Sequence, residues 1–186
     1  MAAKKRNDRL WKFVLICILI SISVMMTLWV WDWWLSRKAH YTRYDEFGID
    51  IPVNYSVHGI DVSKYQQVID WTSVKAMEVE DIHLSFAFIK ATEGNVNEDR
   101  FFKRNWKNAR AAGITRGAYH FFLATKNGKT QAENFISTVD LETGDMPPVL
   151  DVEQSYGVPP EKLRERVKEW LIVIENFYKV KPIIYT

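Results

Sequence analysis

From residue 57 onward the chain repeats one unit. A short apolar run of strand length gives way to a polar link, and then to a stretch with apolar residues at helical spacing. Strands are expected over residues 57–63, 84–91, 117–122, around Asp151, and over 182–185. Helices are expected after Asp70, including Val74 and Met77, and over residues 100–112, 129–141 and 160–178. Gly113 is placed to cap the second of these, and Pro159-Pro160 opens the last. Residues 92–95 read as a loop. Alternation of this kind, with apolar strands and short links, requires a parallel sheet covered by helices. In such sheets functional residues gather at the carboxyl ends of the strands. Asp61, Lys90, Tyr119, Asp151, Glu153 and Tyr185 all fall at or near those ends. Periodicity alone does not separate a closed barrel from an open sheet.

The fourth strand carries the most pointed chemistry. Pro147 and Pro148 force an extended entry, and Val149 and Leu150 read as a buried strand. Asp151 and Glu153 are two apart, so on a strand both carboxylates share a face, with α-carbons roughly 6.5 Å apart. Two acids side by side at the end of a buried strand are costly unless something uses them. As purely structural acids they would be paired to Lys90 or to an arginine.

The amino-terminal part obeys a different rule. Lys4, Lys5, Arg6, Arg9 and Lys12 precede an uncharged run over residues 13–31, long enough to cross a bilayer as a helix of about 20 residues. Trp11 stands at one end, with Trp29, Trp31, Trp33 and Trp34 at the other, as an aromatic belt requires. No small-residue cleavage site closes the run, which therefore reads as an uncleaved anchor. A buried core helix would show a polar face over that length. The leading positive charges place the amino terminus in the cytoplasm and the rest of the chain outside the inner membrane, an asymmetry that Arg37 and Lys38 weaken but do not reverse. The expected divisions are a basic tail over residues 1–12, an anchor over 13–34, a spacer over 35–55 and a domain over 56–186.

Charge and cysteine content exclude other classes. With 25 basic and 23 acidic residues the net charge is +2, without the basic stripe of a nucleic-acid binder. The single cysteine, Cys17, permits neither an intrachain disulfide nor a cysteine metal cluster. His58 and His120 beside the acids raise the question of a metal site. Alternation answers it in part, because His120 should point away from Tyr119 and Phe121, toward the helices.

Four segments in order then carry a resemblance. They are His58-Gly59-Ile60-Asp61-Val62-Ser63, Phe88-Ile89-Lys90-Ala91-Thr92-Glu93-Gly94, Gly117-Ala118-Tyr119-His120-Phe121 and Val149-Leu150-Asp151-Val152-Glu153. Together they resemble glycoside hydrolase family 25, the Chalaropsis-type lysozymes, from about residue 57 to 186. The resemblance implies a modified (β/α) TIM-like barrel that cleaves the β-1,4 bond between N-acetylmuramic acid and N-acetylglucosamine in peptidoglycan. It implies no metal or organic cofactor. Position by position, Glu153 matches the family's general acid. Asp151 matches the carboxylate that assists by orienting the 2-acetamido group, and Asp61 matches the first-strand acid of the cleft. Lys90, Tyr119 and Phe121 match positions lining the sugar groove, and Tyr185 is taken with them as substrate-binding. The family's domain continues through further strands, so this chain is expected to hold about five strands, roughly two thirds of the domain.

Glycosidic cleavage needs one carboxyl protonated near neutral pH and another charged. Crowding Glu153 against Asp151 and Asp61 raises the pKa of at least one, and the resemblance assigns that role to Glu153. Spacing alone does not choose between them. It also leaves open direct displacement, inversion and assistance by the acetamido group, of which the last is favoured. The expected function is a membrane-anchored muramidase acting on peptidoglycan. A non-catalytic glycan-binding chain and an inactive remnant are the alternatives, and an open five-strand sheet would expose an apolar edge at residues 182–186.

Overall fold

The computed structural model describes residues 2–36, 41–80 and 82–186, with side chains from residue 11 onward. Arg37 and Lys38 lie outside the described residues, as do the side chains of Lys4, Lys5, Arg6 and Arg9. The chain divides into two compact units, Met1–Tyr55 and Ser56–Thr186.

The first unit opens with helix α1, Ala2–Ser36. Within it Trp11–Ser36 is long and apolar enough to cross a membrane, with a mean hydropathy of 2.7, and every side chain of that segment is exposed. Three of its hydroxyl groups, those of Ser21, Thr27 and Ser36, return their hydrogen bonds to the helix itself. Ser21 donates to the Cys17 carbonyl at 2.9 Å and Thr27 to the Val24 carbonyl at 2.8 Å. Strands β1 (Tyr41–Tyr44) and β2 (Ile49–Pro52) follow as an antiparallel hairpin. The Tyr44 carbonyl accepts from the amides of Phe47 and Gly48 to close its turn. The sequence reading saw only a spacer without period here, because four residues per strand are too few for alternation to register.

In the second unit the elements are β3 (His58–Val62), a 3-10 turn at Lys64–Gln66, α2 (Trp71–Ala76), β4 (Glu78–Val79), β5 (Ile82–Glu93), β6 (Asn97–Glu98), α3 (Phe102–Ala111), β7 (Thr115–Phe121), α4 (Gly128–Thr138), β8 (Val149–Asp151), α5 (Pro160–Tyr178) and β9 (Ile183–Tyr185). Five strands pair in parallel in the order β3-β5-β7-β8-β9 and curl into a half-barrel, with β4 and β6 as short antiparallel additions to β5. The helices begin where the chemistry provides caps. Asp70 accepts from the amides of Thr72 and Ser73 to start α2, and Asn127 accepts from Thr130 to start α4.

Each strand shows one face to the helices and one to the hollow of the half-barrel. Ala87, Ile89, Ala118 and Leu150 point outward into the main core, against Phe135 of α4 and Trp170 and Ile174 of α5. His120 lies among them, its ring 5.9 Å from that of Trp170, so it faces the helices as alternation predicts. Arg116, on the same face, is buried but fully engaged. It reaches Asp145 at 2.7 and 3.0 Å, Glu142 at 3.1 Å and the Trp106 carbonyl at 2.8 Å, and stacks on the Trp106 ring.

Two strand ends differ from the sequence reading. Strand β5 continues to Glu93, where a loop was expected from Thr92, because a bulge at Ala91 interrupts the ladder with β7 without ending it. The displaced Ala91 carbonyl accepts from the Asp99 amide at 2.8 Å. At the other site β8 ends at Asp151, so Asp151 and Glu153 do not share a strand as expected. The Val152 amide still donates to the Tyr185 carbonyl at 2.8 Å, which carries the chain one residue further beside β9.

Candidate active site

The hollow of the half-barrel is a cleft of about 660 Å³. Its floor forms through a pairing of glycines with phenylalanines. Phe86 and Phe88, alternate residues of β5, turn inward and meet edge to face at 5.7 Å. The ring of Phe86 covers Gly59 of β3, and that of Phe88 covers Gly117 of β7. A Cβ at either glycine would stand 2.4 Å from a ring carbon. Only glycine leaves room for an aromatic to lie across the neighbouring strand.

Above this floor the register lays out the polar residues. Lys90, Tyr119 and Val149 stand opposite one another on successive strands, then Phe121, Asp151 and Tyr185 in the next row. Asp61 lies opposite Phe88. The cleft is lined by Asp61, Lys90, Tyr119, Phe121, Asp151, Glu153 and Tyr185, so the structure brings together all seven residues singled out from the sequence. The bulge at Ala91 matters here. It sends Thr92 to the helix side, where its hydroxyl meets His120 Nδ1 at 2.7 Å, and it turns Glu93 inward opposite Phe121. Glu93 thereby reaches Lys90 at 2.6 Å, and the Lys90 ammonium lies 4.5 Å from the centre of the Phe121 ring.

The acids are differently placed. Asp61 and Glu153 are exposed, whereas Asp151 is only 7% exposed. Asp151 Oδ1 is buried with no hydrogen-bond partner. Its pKa is raised to about 6, first by burial and then by the charge of Glu153, with Asp61 adding and Lys90 opposing. The sequence reading had assigned the raised value to Glu153. The structure puts it on Asp151, because in the folded chain it is Asp151 that loses its water. Tyr119 is raised as well, by burial and then by Asp61 and Asp151, so its hydroxyl remains a proton donor. Among the described residues no ion pair engages Asp61, Asp151 or Glu153, and Lys90 is committed to Glu93. That removes the reading of Asp151 and Glu153 as paired structural acids, and that of Lys90 as their direct counter-ion.

The histidines do not form a metal centre with these acids. Both ring nitrogens of His120 are engaged, Nε2 donating to Gln131 Oε1 at 3.2 Å and Nδ1 accepting from Thr92. Burial lowers its pKa to about 4, so it is neutral. Among the described residues no group of three or more His, Cys, Asp or Glu side chains could hold a metal ion.

The sequence reading missed Phe86, Phe88 and Tyr65 as cleft residues, and Glu93 as a lining residue of the cavity beside it. A signal existed for the first two, since glycines inside the neighbouring strands call for a large ring nearby. Nothing local announces the bulge that turns Glu93 inward.

The sequence model described as Glycosyl hydrolases family 25 matches residues 60–186. The chain belongs to glycosyl hydrolase family 25. Among solved structures, a family 25 glycosyl hydrolase from Bacillus anthracis superposes with a TM-score of 0.67 at 35% identity, over 80% of this chain and 65% of that one. Lysozyme M1 of Streptomyces globisporus is 38% identical over 144 residues, 70% of this chain and 46% of that protein. The uncharacterized protein YegX of Escherichia coli strain K12 is 47% identical over 146 residues, 78% of this chain and 54% of YegX. The chain thus spans about half the length of the curated relatives it matches. All four segments that carried the resemblance lie on the cleft or on the strands that form it.

Proposed function

We propose that this family 25 chain carries the catalytic cleft of a membrane-anchored muramidase, hydrolysing the β-1,4 bond between N-acetylmuramic acid and N-acetylglucosamine. One observation carries the reading. Three carboxylates with no ion-pair partner among the described residues converge on an open, aromatic-floored groove, and one of them is buried with its pKa raised to about 6. A fold that leaves such a group unpaired loses stability by it, and clefts that use the group are where this occurs.

In the proposed mechanism Glu153 is the general acid. It is exposed on the lining of the cleft, where the oxygen of a bound glycosidic bond can reach it. Asp151 accepts the N–H of the substrate's 2-acetamido group. It turns the acetamido oxygen toward the anomeric carbon. As that oxygen bonds the carbon, the glycosidic C–O bond breaks, Glu153 gives its proton to the departing sugar oxygen, and Asp151 stabilises the positive charge on the ring so formed. Water then opens that ring with Glu153, now ionised, as base. Asp61 and the protonated Tyr119 hydroxyl supply further polar contacts. Phe121 and Tyr185 offer faces for sugar rings, and the half-spent charge of Lys90 helps hold Asp151 ionised once substrate arrives.

The anchor belongs to the same proposal. Helix α1 has the length and the exposed apolar surface of a bilayer span, and Ser21 and Thr27 bond back to its own carbonyls. The basic residues before it support a cytoplasmic amino terminus, which would put the cleft on the side where peptidoglycan lies. The test is release of new reducing ends from purified peptidoglycan. Glu153→Gln should lower it by about 10²-fold or more while glycan binding persists. Normal cleavage by that variant would sink the assignment of the acid, and cleavage of other glucans in preference to peptidoglycan would sink the substrate.

A further inference from the structure

A second cavity, of about 550 Å³, adjoins the cleft and shares Lys90 and Tyr65 with it. Its other charged residues are Lys64, Glu93, Glu98, Asp99 and Arg100. The acids in it are already committed. Glu93 is paired with Lys90 at 2.6 Å and Glu98 with Lys103 at 3.3 Å. Asp99 is buried and accepts two backbone amides, from Lys64 at 2.7 Å and from Phe101 at 2.9 Å. The cations Lys64 and Arg100 are exposed, and among the described residues neither has a carboxylate partner. Each lies over an aromatic ring instead, Lys64 at 5.6 Å from the centre of Tyr65 and Arg100 at 5.0 Å from that of Phe101.

Asp99 gives this cavity a fixed shape. Its two oxygens tie the turn after β3, which carries Lys64, to the segment before α3, which carries Arg100. Its own amide is held by the bulged carbonyl of Ala91. The two cations are therefore presented from clamped backbone, at the edge of the cleft, with their charge unspent. Such a cavity accepts an anion.

We infer that the cavity receives the acidic peptide carried by the muramic acid residue. This rests on the muramidase reading above. A muramic ring in the cleft bears on its lactyl group a peptide with free carboxylates, too bulky for the aromatic floor. The way out beside Lys90 and Tyr65 leads to the one wall where cations lie open among the described residues of the two cavities. The chain would then discriminate peptide-bearing glycan from bare glycan through Lys64 and Arg100, residues that take no part in bond cleavage.

The experiment is titration calorimetry on the full chain in detergent micelles, with Glu153→Gln present throughout to prevent turnover. Two probes are used: a peptidoglycan tetrasaccharide bearing its stem peptides, and the same tetrasaccharide stripped of peptide by an amidase. The expected result is about tenfold tighter binding of the peptide-bearing probe, the worth of roughly one charge-assisted hydrogen bond. Adding Lys64→Ala and Arg100→Ala should abolish that preference while leaving affinity for the stripped probe unchanged, which also reports that the variant is folded. The preference should shrink at high salt. Equal binding of the two probes, or a preference that survives both substitutions, overturns the inference and leaves the muramidase reading standing. Failure of both probes to bind overturns the muramidase reading itself, and this inference with it.

Discussion

Asp151 shows how one carboxyl can work against the fold that holds it. Its pKa in the folded chain is about 6, against an ordinary value of 3.8. Between these two pH values the folded chain keeps a proton that the unfolded chain gives up, so stability falls as pH rises through that window. Above about pH 6 the whole penalty applies, and below about pH 4 none does. A shift of this size corresponds to at most about 3 kcal/mol. Asp151→Asn should therefore raise stability at pH 7 by about 1–3 kcal/mol, with the gain vanishing at pH 4, while cleavage is lost. Urea unfolding at the two pH values checks this, and an equal gain at both would refute a charge-based cause. Glu93 acts on the same group through Lys90. It neutralises Lys90 at 2.6 Å, and Lys90 is what pulls the Asp151 pKa down. Glu93→Gln should free that charge and lower the Asp151 pKa below 6, as carboxyl chemical shifts followed through a pH titration would report. An unchanged or higher value would mean that Lys90 leaves the cleft when its partner is removed.

Among the elements, β7 shows the division of labour most clearly. Gly117, Tyr119 and Phe121 form the cleft, while Arg116, Ala118 and His120 face the helices. Arg116 and Asp145 are both nearly buried, with side chains 4% and 5% exposed, and their forked contact ties β7 to the loop ahead of β8. Removing one partner leaves the other charge uncompensated. Asp145→Ala should cost about 3–5 kcal/mol. Glu142 touches the same arginine but is 54% exposed, so Glu142→Ala should cost less than about 1 kcal/mol. Thermal or chemical unfolding of the two variants side by side tests the contrast, and similar losses would contradict it.

For the molecule as a whole, the two compact units differ in the surfaces they present. The second buries a mixed α/β core in water, whereas α1 presents apolar side chains on every side from Trp11 to Ser36. On the anchor reading proposed above, such a helix would be stable in lipid rather than in water. The full chain should sediment with membranes through an alkaline carbonate wash, and removal of residues 1–36 should release the remainder into the soluble fraction. Recovery of the full chain in the wash would contradict the anchor.

The alternation of strands and helices, the helix after Asp70, the cap at Gly113, the outward turn of His120 and the membership in family 25 were all legible in the order of residues. They depend on period, on local backbone chemistry and on short segments, all of which act within a few residues along the chain. Which carboxyl would hold its proton was not legible, nor was the partner of Lys90. Asp151 and Glu153 look equivalent in the sequence; only packing of β8 between β7 and β9 strips water from one and leaves it on the other. The bulge at Ala91, held by the amide of Asp99, turns Glu93 toward Lys90, and a one-residue shift in register is invisible to alternation. Periodicity places side chains on faces, but desolvation and charge pairing depend on what the other strands bring to the same face, and that exists only once the sheet has curled.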